Sequence, residues 1–283
     1  MSRSLTLFDL QPGKTVLDRF EIKSAHRHGG MAAVFEVTDG KQLRELQVFP
    51  AAMFEGLDQS TTFAERMQSL TVVDNVHVLK VREATCMADG TVLLVTDFPG
   101  GVILRDWLND CERMEPAKVQ KLGLELLDGL ATIHDAGAVH GDVKPNTIFY
   151  GDPGSSQLVD GGITSGLWES KHLGDKTALI GTPFYAPVEQ FGGESPDVRS
   201  DIYNLATVLY ELCCGVVPWP GNSFLEVFQS KLQSRPPRMA ERAPGTSVPK
   251  ELEDAIEGGL VAEARDRYAS AVEFAERLAA VDC

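Results

Sequence analysis

The sequence predicts an α+β fold in which strands dominate the first third of the chain and helices dominate the remainder. Two observations carry this. Up to residue 97, short runs rich in β-branched and aromatic residues are bounded by turn residues, as in RELQVFP at 44–50. Beyond residue 115, apolar residues recur at helical spacing, as at Val119, Leu122, Leu126, Leu127 and Leu130. With 283 residues, 43% hydrophobic and 24% charged, the chain can build one large domain or two lobes with ample core.

Residues 1–19 read as a lead-in with a turn at 11–14. From Phe20, FEIKSAHRHGGMAAVFEVTDG gives two strands joined at Gly29–Gly30, because Val34, Phe35 and Val37 are strand formers and paired glycines permit a tight bend. A third strand follows at 44–50, with Leu46 and Val48 on one face and Glu45 and Gln47 on the other. Residues 60–70 suit a helix, residues 76–81 and 91–97 two more strands, and RDWLND a short helix. Pro116 opens a long helix to His134, which is expected to be a packing residue near the helix end. HGDVKPNTIF, residues 140–149, reads as a loop leading into a strand, and such loops often carry chemistry. Ser200 is placed as the N-cap of a helix that is apolar nearly all round, hence central and buried. Two or three amphipathic helices complete the chain to Cys283, and no repeat, low-complexity tract or long linker interrupts it.

The formal charge of −15 argues against nucleic acid or anionic membrane as a partner, since binding to phosphates depends on clustered Lys and Arg. No segment reaches the roughly 20 apolar residues needed to span a bilayer. Cys86, Cys111, Cys213, Cys214 and Cys283 contain no C-x-x-C pair, which suits a reduced, cytoplasmic setting.

An aspartate followed two residues later by a lysine can orient a hydroxyl and neutralise a transferred phosphoryl group. Asp142 and Lys144 stand at that spacing in HGDVKPNTIF, which resembles the protein kinase catalytic loop H-R-D-L-K-P-x-N-I-L. With GGM, GTPFY, SDIYNLATVLYEL and RDRYAS in family order, residues 20–280 resemble the bacterial, eukaryotic-like branch of serine/threonine protein kinases. The H-G-D triplet also resembles aminoglycoside-type phosphotransferases, but those lack the GTPxY segment and the K-P after the aspartate. The kinase resemblance implies a bilobal fold, with a β-rich N-lobe at 20–98 and a helical C-lobe at 99–283, acting on proteins with ATP and Mg²⁺.

By that resemblance Asp142 is the catalytic base, Lys144 a phosphate contact and Asp160 the metal-binding aspartate of D-F-G, while His140, Thr182, Glu189, Asp201 and Arg267 are structural. Glu189 and Arg267 are expected to pair, and Asp201 to hold the loop backbone. Gly29 and Gly30, with Val34, are what remains of the glycine-rich loop over ATP, and Thr96, Asp97 and Phe98 stand at the hinge that meets adenine. The departures are equally specific. Gly141 replaces the loop arginine, Thr147 the metal asparagine, Gln47 the phosphate-holding lysine, Glu45 the alanine above adenine and Gly161 the phenylalanine of D-F-G. Arg66 stands at the glutamate that partners the lysine, so an Arg66–Glu45 or Arg66–Gln47 contact is expected instead. Loss of the aromatic anchor at Gly161 predicts a looser segment there, and residues 163–189 resemble the activation segment that follows. Compensation is conceivable from Asn146 toward the metal, or from Lys23, Lys41 or Arg27 toward phosphates. Without the arginine at 141, phosphorylation of Thr177 or Thr182 is not expected to act as a switch. The combined expectation is a pseudokinase that binds another protein as a regulatory module, with a low-activity ATP-dependent serine/threonine kinase as the alternative.

Overall fold

In this computed structural model of the chain, residues 9–28, 31–151, 155–171, 183–232 and 235–283 are described, and they divide into two compact units. The smaller contains the chain as far as Asp74, then Leu79–Pro99 and a stretch beginning at Gly166; the larger takes Asn75–Val78, Gly100–Ser165 and the C-terminal part.

The smaller unit is built on an antiparallel sheet of order β1-β2-β3-β4-β6-β5, formed by Thr15–Val16, Phe20–His28, Ala33–Thr38, Leu43–Phe49, Val92–Asp97 and Val81–Cys86 respectively. Val16, Phe20, Ile22, Val37, Leu46, Val48, Leu93 and Val95 bury one continuous apolar cluster within it. Helix α1, Leu57–Ser69, buries Phe63 and Met67, and the Phe63 ring meets Phe49 edge-on with centroids 4.9 Å apart. Two sequence expectations change here. The lead-in joins the sheet, because Leu17 and Asp18 take positive φ and reverse the chain so that Val16 pairs with Phe20. The strand expected at 76–81 begins only at Val81. Asn75 accepts the His77 N–H at 2.8 Å and donates to Asp128 and Thr132, so a side-chain turn replaces a ladder there.

In the larger unit, β7 Val102–Ile103, β8 Ile148–Tyr150 and β9 Ser156–Leu158 form a small antiparallel sheet. Around it lie α2 Leu104–Cys111, α3 Pro116–Asp135, α5 Val188–Phe191, α6 Val198–Cys214, α7 Phe224–Lys231, α8 Met239–Arg242, α9 Lys250–Gly259 and α10 Ala271–Ala279, while α4, Ile163–Ser170, starts in this unit and ends in the smaller. Every residue of α6 from Ser200 to Cys214 is buried, which makes it the axis of the helical core. Its N-cap is Asp197 rather than Ser200. The Asp197 carboxylate accepts the Ser200 N–H at 2.8 Å while Ser200 Oγ accepts the Asp197 N–H at 3.1 Å, a reciprocal capping box. Within α6, burial pushes the Cys214 thiol up to about 12, so it behaves as a small apolar group. After α6 the described residues form four helices, more than expected, because Pro236–Pro237, Pro244 and Pro249 divide the chain into short pieces. Among the described residues no helix is long and apolar enough to cross a membrane.

One ion pair ties the segment before α6 to the chain beyond α9. Arg267 donates from Nη1 and Nη2 to the two oxygens of Glu189 at 2.7 and 2.8 Å, and its remaining donors reach Val261 O, Ala262 O and Arg199 O. Its side chain is fully buried and its guanidinium lies 4.7 Å from the Tyr203 ring centroid. Breaking such a pair from one side strands a charge, so Arg267→Met is expected to lower unfolding stability by about 3–5 kcal/mol. A loss in urea denaturation below about 1 kcal/mol, the worth of a surface pair, would contradict this.

Candidate functional site

The loop carrying Asp142 is hung from a single carboxylate. Asp201, fully buried in the first turn of α6, accepts the N–H groups of His140 and Gly141, each at 2.8 Å, and contacts His134 Nε2 at 2.9 Å. His134 is thus a polar anchor and not merely a packing residue. A carboxylate near a helix N-terminus also gains from the helix dipole. The His140 ring contacts Val159 O at 3.0 Å, and its own carbonyl accepts the Gly162 N–H at 3.2 Å, which connects the loop to the Asp160 segment.

Held in this way, Asp142 Oδ2 and Lys144 Nζ are 2.5 Å apart, with each side chain 17% exposed. The Thr147 hydroxyl accepts the Lys144 N–H at 3.1 Å and lies 2.8 Å from Asp142 O, closing a short 3₁₀ turn over Pro145–Thr147. That hydroxyl is engaged within the loop, while Asn146 is exposed. Asp160 adopts a positive φ of 62°. Among the described residues no group of three or more His, Cys, Asp or Glu side chains is placed to hold a metal ion by itself.

The described chain just after Gly161 is helical. Residues 163–170 form α4, in which Leu167 and Trp168 are buried, and Gly166 lies close against Met67 and Phe63 of α1. Its first turn lies against Gly141, where a Cβ would stand 3.1 Å from Ser165 N and 3.3 Å from Thr164 Cβ. Gly141 also has a φ of +84°, so the family's arginine is excluded here by backbone and by contact. Gly137 provides a control, since its φ is +71° but nothing lies within 4 Å of its Cβ position. Gly137→Ala should therefore cost only the left-handed penalty of about 1–2 kcal/mol, and Gly141→Ala clearly more. Equal losses in denaturant midpoint would contradict the close approach.

In the smaller unit, the sheet places Val34 opposite Gln47, and Glu45 opposite Thr96. Glu45 and Gln47 are both buried. The cation that answers Glu45 is Arg27, reaching over β3 from β2. Its Nε and Nη2 donate to the two carboxylate oxygens at 2.9 and 2.7 Å, and Gln47 Nε2 adds a third bond at 3.0 Å. Arg66, expected in that role, pairs instead with Glu169 at 3.4 Å. Lys23 is held by Glu21 at 2.9 Å. The His26 ring lies 4.6 Å from that of Phe98 and 3.7 Å from Glu45. Thr96 is buried, and Asp97 already spends its N–H on Lys80 O and its carboxylate on Arg82 and Arg44. Gly29, Gly30, Thr177 and Thr182 lie outside the described residues. Arg27 was available to sequence reasoning only as a reach toward phosphate. The usable signal was the buried glutamate itself, which requires a cation on the same face of the sheet.

Residues 28–277 match the family model of the protein kinase domain. The serine/threonine-protein kinase PknB of Mycobacterium leprae is 28% identical over 262 residues, 91% of this chain and 42% of that protein. A probable serine/threonine-protein kinase of Corynebacterium efficiens is 30% identical over 275 residues, 93% of this chain and 41% of that protein. The chain therefore spans about two fifths of the length of these curated relatives. The crystal structure of the Mycobacterium tuberculosis PknI kinase domain superposes with a TM-score of 0.73 at 21% identity, covering 95% of this chain and 98% of that one. Its likeness is one of fold: a β-sheet N-lobe and a helical C-lobe. With a loop hung from Asp201, a buried Glu189–Arg267 pair and a family match over 28–277, the chain belongs to the protein kinase domain family.

Proposed function

We propose that this protein kinase domain is a pseudokinase, with weak or absent phosphoryl transfer, that acts as a cytoplasmic regulatory module by binding another protein. The observation that carries this reading is the bidentate Arg27–Glu45 pair. Where kinases offer a lysine ammonium to the phosphates, β4 offers Gln47, which already donates to Glu45. Any phosphate that recruited Arg27 would leave the buried Glu45 carboxylate without its guanidinium, at a cost of several kcal/mol.

The chemistry lost can be given a scale. If one preorganised electrostatic contact is worth about 10²-fold, loss of both the strand lysine and the metal asparagine removes about 10⁴-fold. From an ordinary kinase turnover of about 1–100 s⁻¹ that leaves roughly 10⁻⁴ to 10⁻² s⁻¹. A second reading, a slow ATP-dependent serine/threonine kinase, is favoured by the Asp142–Lys144 contact, since a positioned base and an adjacent cation are what phosphoryl transfer uses.

Thermal unfolding with and without ATP and Mg²⁺ separates the two. No stabilisation is expected at millimolar nucleotide, and no label is expected to pass from [γ-³²P]ATP to serine or threonine. A metal-dependent rise in Tm abolished by Asp160→Ala, with transfer abolished by Asp142→Asn, would establish the slow kinase instead.

A further inference from the structure

The glutamate buried in the sheet of the smaller unit has a second carboxylate directly across from it. Glu36 of β3 and Glu45 of β4 are register partners, so their side chains leave the same face, where opposed like charges are destabilising. Arg27 answers Glu45, and the Ser24 hydroxyl donates to Glu36 at 3.4 Å. Around Glu45 the described residues therefore set two carboxylates against one guanidinium. Other charges of the unit are engaged elsewhere. Lys23 meets Glu21 and Arg66 of α1 meets Glu169, while Arg44 and Asp97, partners at the next register position, stand on the opposite face and are joined there by Arg82.

His26 is the group positioned to redress that imbalance. Consecutive side chains ordinarily point to opposite faces of a strand, so His26 and Arg27 should not share a partner. The β2–β3 register shifts between Ala25 and His28, and at that irregularity both side chains approach one carboxylate oxygen. Arg27 Nε donates to Glu45 Oε2 at 2.9 Å, and His26 Nε2 lies 3.7 Å from the same atom. That nitrogen is buried and has no hydrogen-bond partner, a costly state for a polar atom. The side chain as a whole is 23% exposed, so a proton can reach the ring from solvent. Beside it, 4.6 Å between centroids, lies the Phe98 ring, whose π-face attracts cations.

We propose that His26 is a proton-operated second cation for Glu45, and that the irregularity at His26–Arg27 is a pH-sensitive switch inside the sheet. With the imidazole uncharged, Arg27 holds both carboxylate oxygens. Imidazole is the side chain that changes charge between pH 5 and 8. On taking up a proton from solvent, the ring closes from 3.7 Å to hydrogen-bond distance and donates from Nε2 to Glu45 Oε2. Arg27, a like charge on the adjacent residue, then gives up its Nε bond to that oxygen and keeps the Nη2 bond to Oε1. The acid pair is thereby balanced by two cations instead of one. The switch lies within the smaller unit and does not depend on whether the chain transfers phosphoryl groups.

Hydrogen exchange at the Arg27 Nε–H, followed by ¹H–¹⁵N NMR on the full chain, tests this. Protection is expressed against an unprotected arginine at the same pH, which removes the intrinsic pH dependence of exchange. In wild type it should fall about ten-fold from about pH 7.5 to about pH 5.5, the equivalent of one charge-assisted hydrogen bond. His26→Phe, which keeps a ring beside Phe98 but takes up no proton, should show no such fall. Equal protection at the two pH values in wild type would overturn the proposal even if His26→Phe does not fold. So would a fall of the same size in folded His26→Phe, which would assign the titration to Glu36 or another group, or a fall shared by backbone amides throughout the sheet.

Discussion

The buried carboxylate of Asp201 is the constraint on which the larger unit depends. It sits in the first turn of a helix buried from Ser200 to Cys214, and it accepts two consecutive backbone N–H groups of the Asp142 loop and contacts the His134 ring. An isolated buried carboxylate would be strongly unfavourable, so the loop satisfies Asp201 as much as Asp201 holds the loop. From that point the order extends outward. The fixed His140 carbonyl takes Gly162 N–H, Gly141 accommodates the start of α4, and the Thr147 hydroxyl closes the turn beneath Asp142 and Lys144.

The smaller unit has solved a different problem. A kinase N-lobe normally directs a cation toward phosphate, and here the cation and its counter-charge are both internal to the sheet. Arg27 and Glu45 meet through two parallel hydrogen bonds, the geometry in which guanidinium and carboxylate pair most specifically. Each replacement taken singly reads as damage. Together they are mutually consistent: Glu45 requires Arg27, Gln47 adds a donor to the same carboxylate, and Arg66 is free to meet Glu169.

The residues that were legible in the sequence are those whose roles follow from short spacing or family order. HGDVKP placed Asp142 and Lys144 side by side, and Glu189 was matched with Arg267 although 78 positions separate them. What escaped depends on packing. The Arg27–Glu45 pair needs the register of three strands, which spacing alone does not give. The α4 helix was hidden because its stability comes from burying Leu167 and Trp168, not from propensity, and ITSGLWES carries β-branched residues and a glycine.

The proposed pseudokinase role requires that the Arg27–Glu45–Gln47 arrangement keep nucleotide out. Calorimetric titration of Mg²⁺–ATP into wild type and into the triple variant Arg27→Gly, Glu45→Ala, Gln47→Lys measures this directly. The prediction is no detectable heat of binding for wild type and a saturable isotherm for the variant. Tight binding by wild type, or a folded variant that gains nothing, would contradict it.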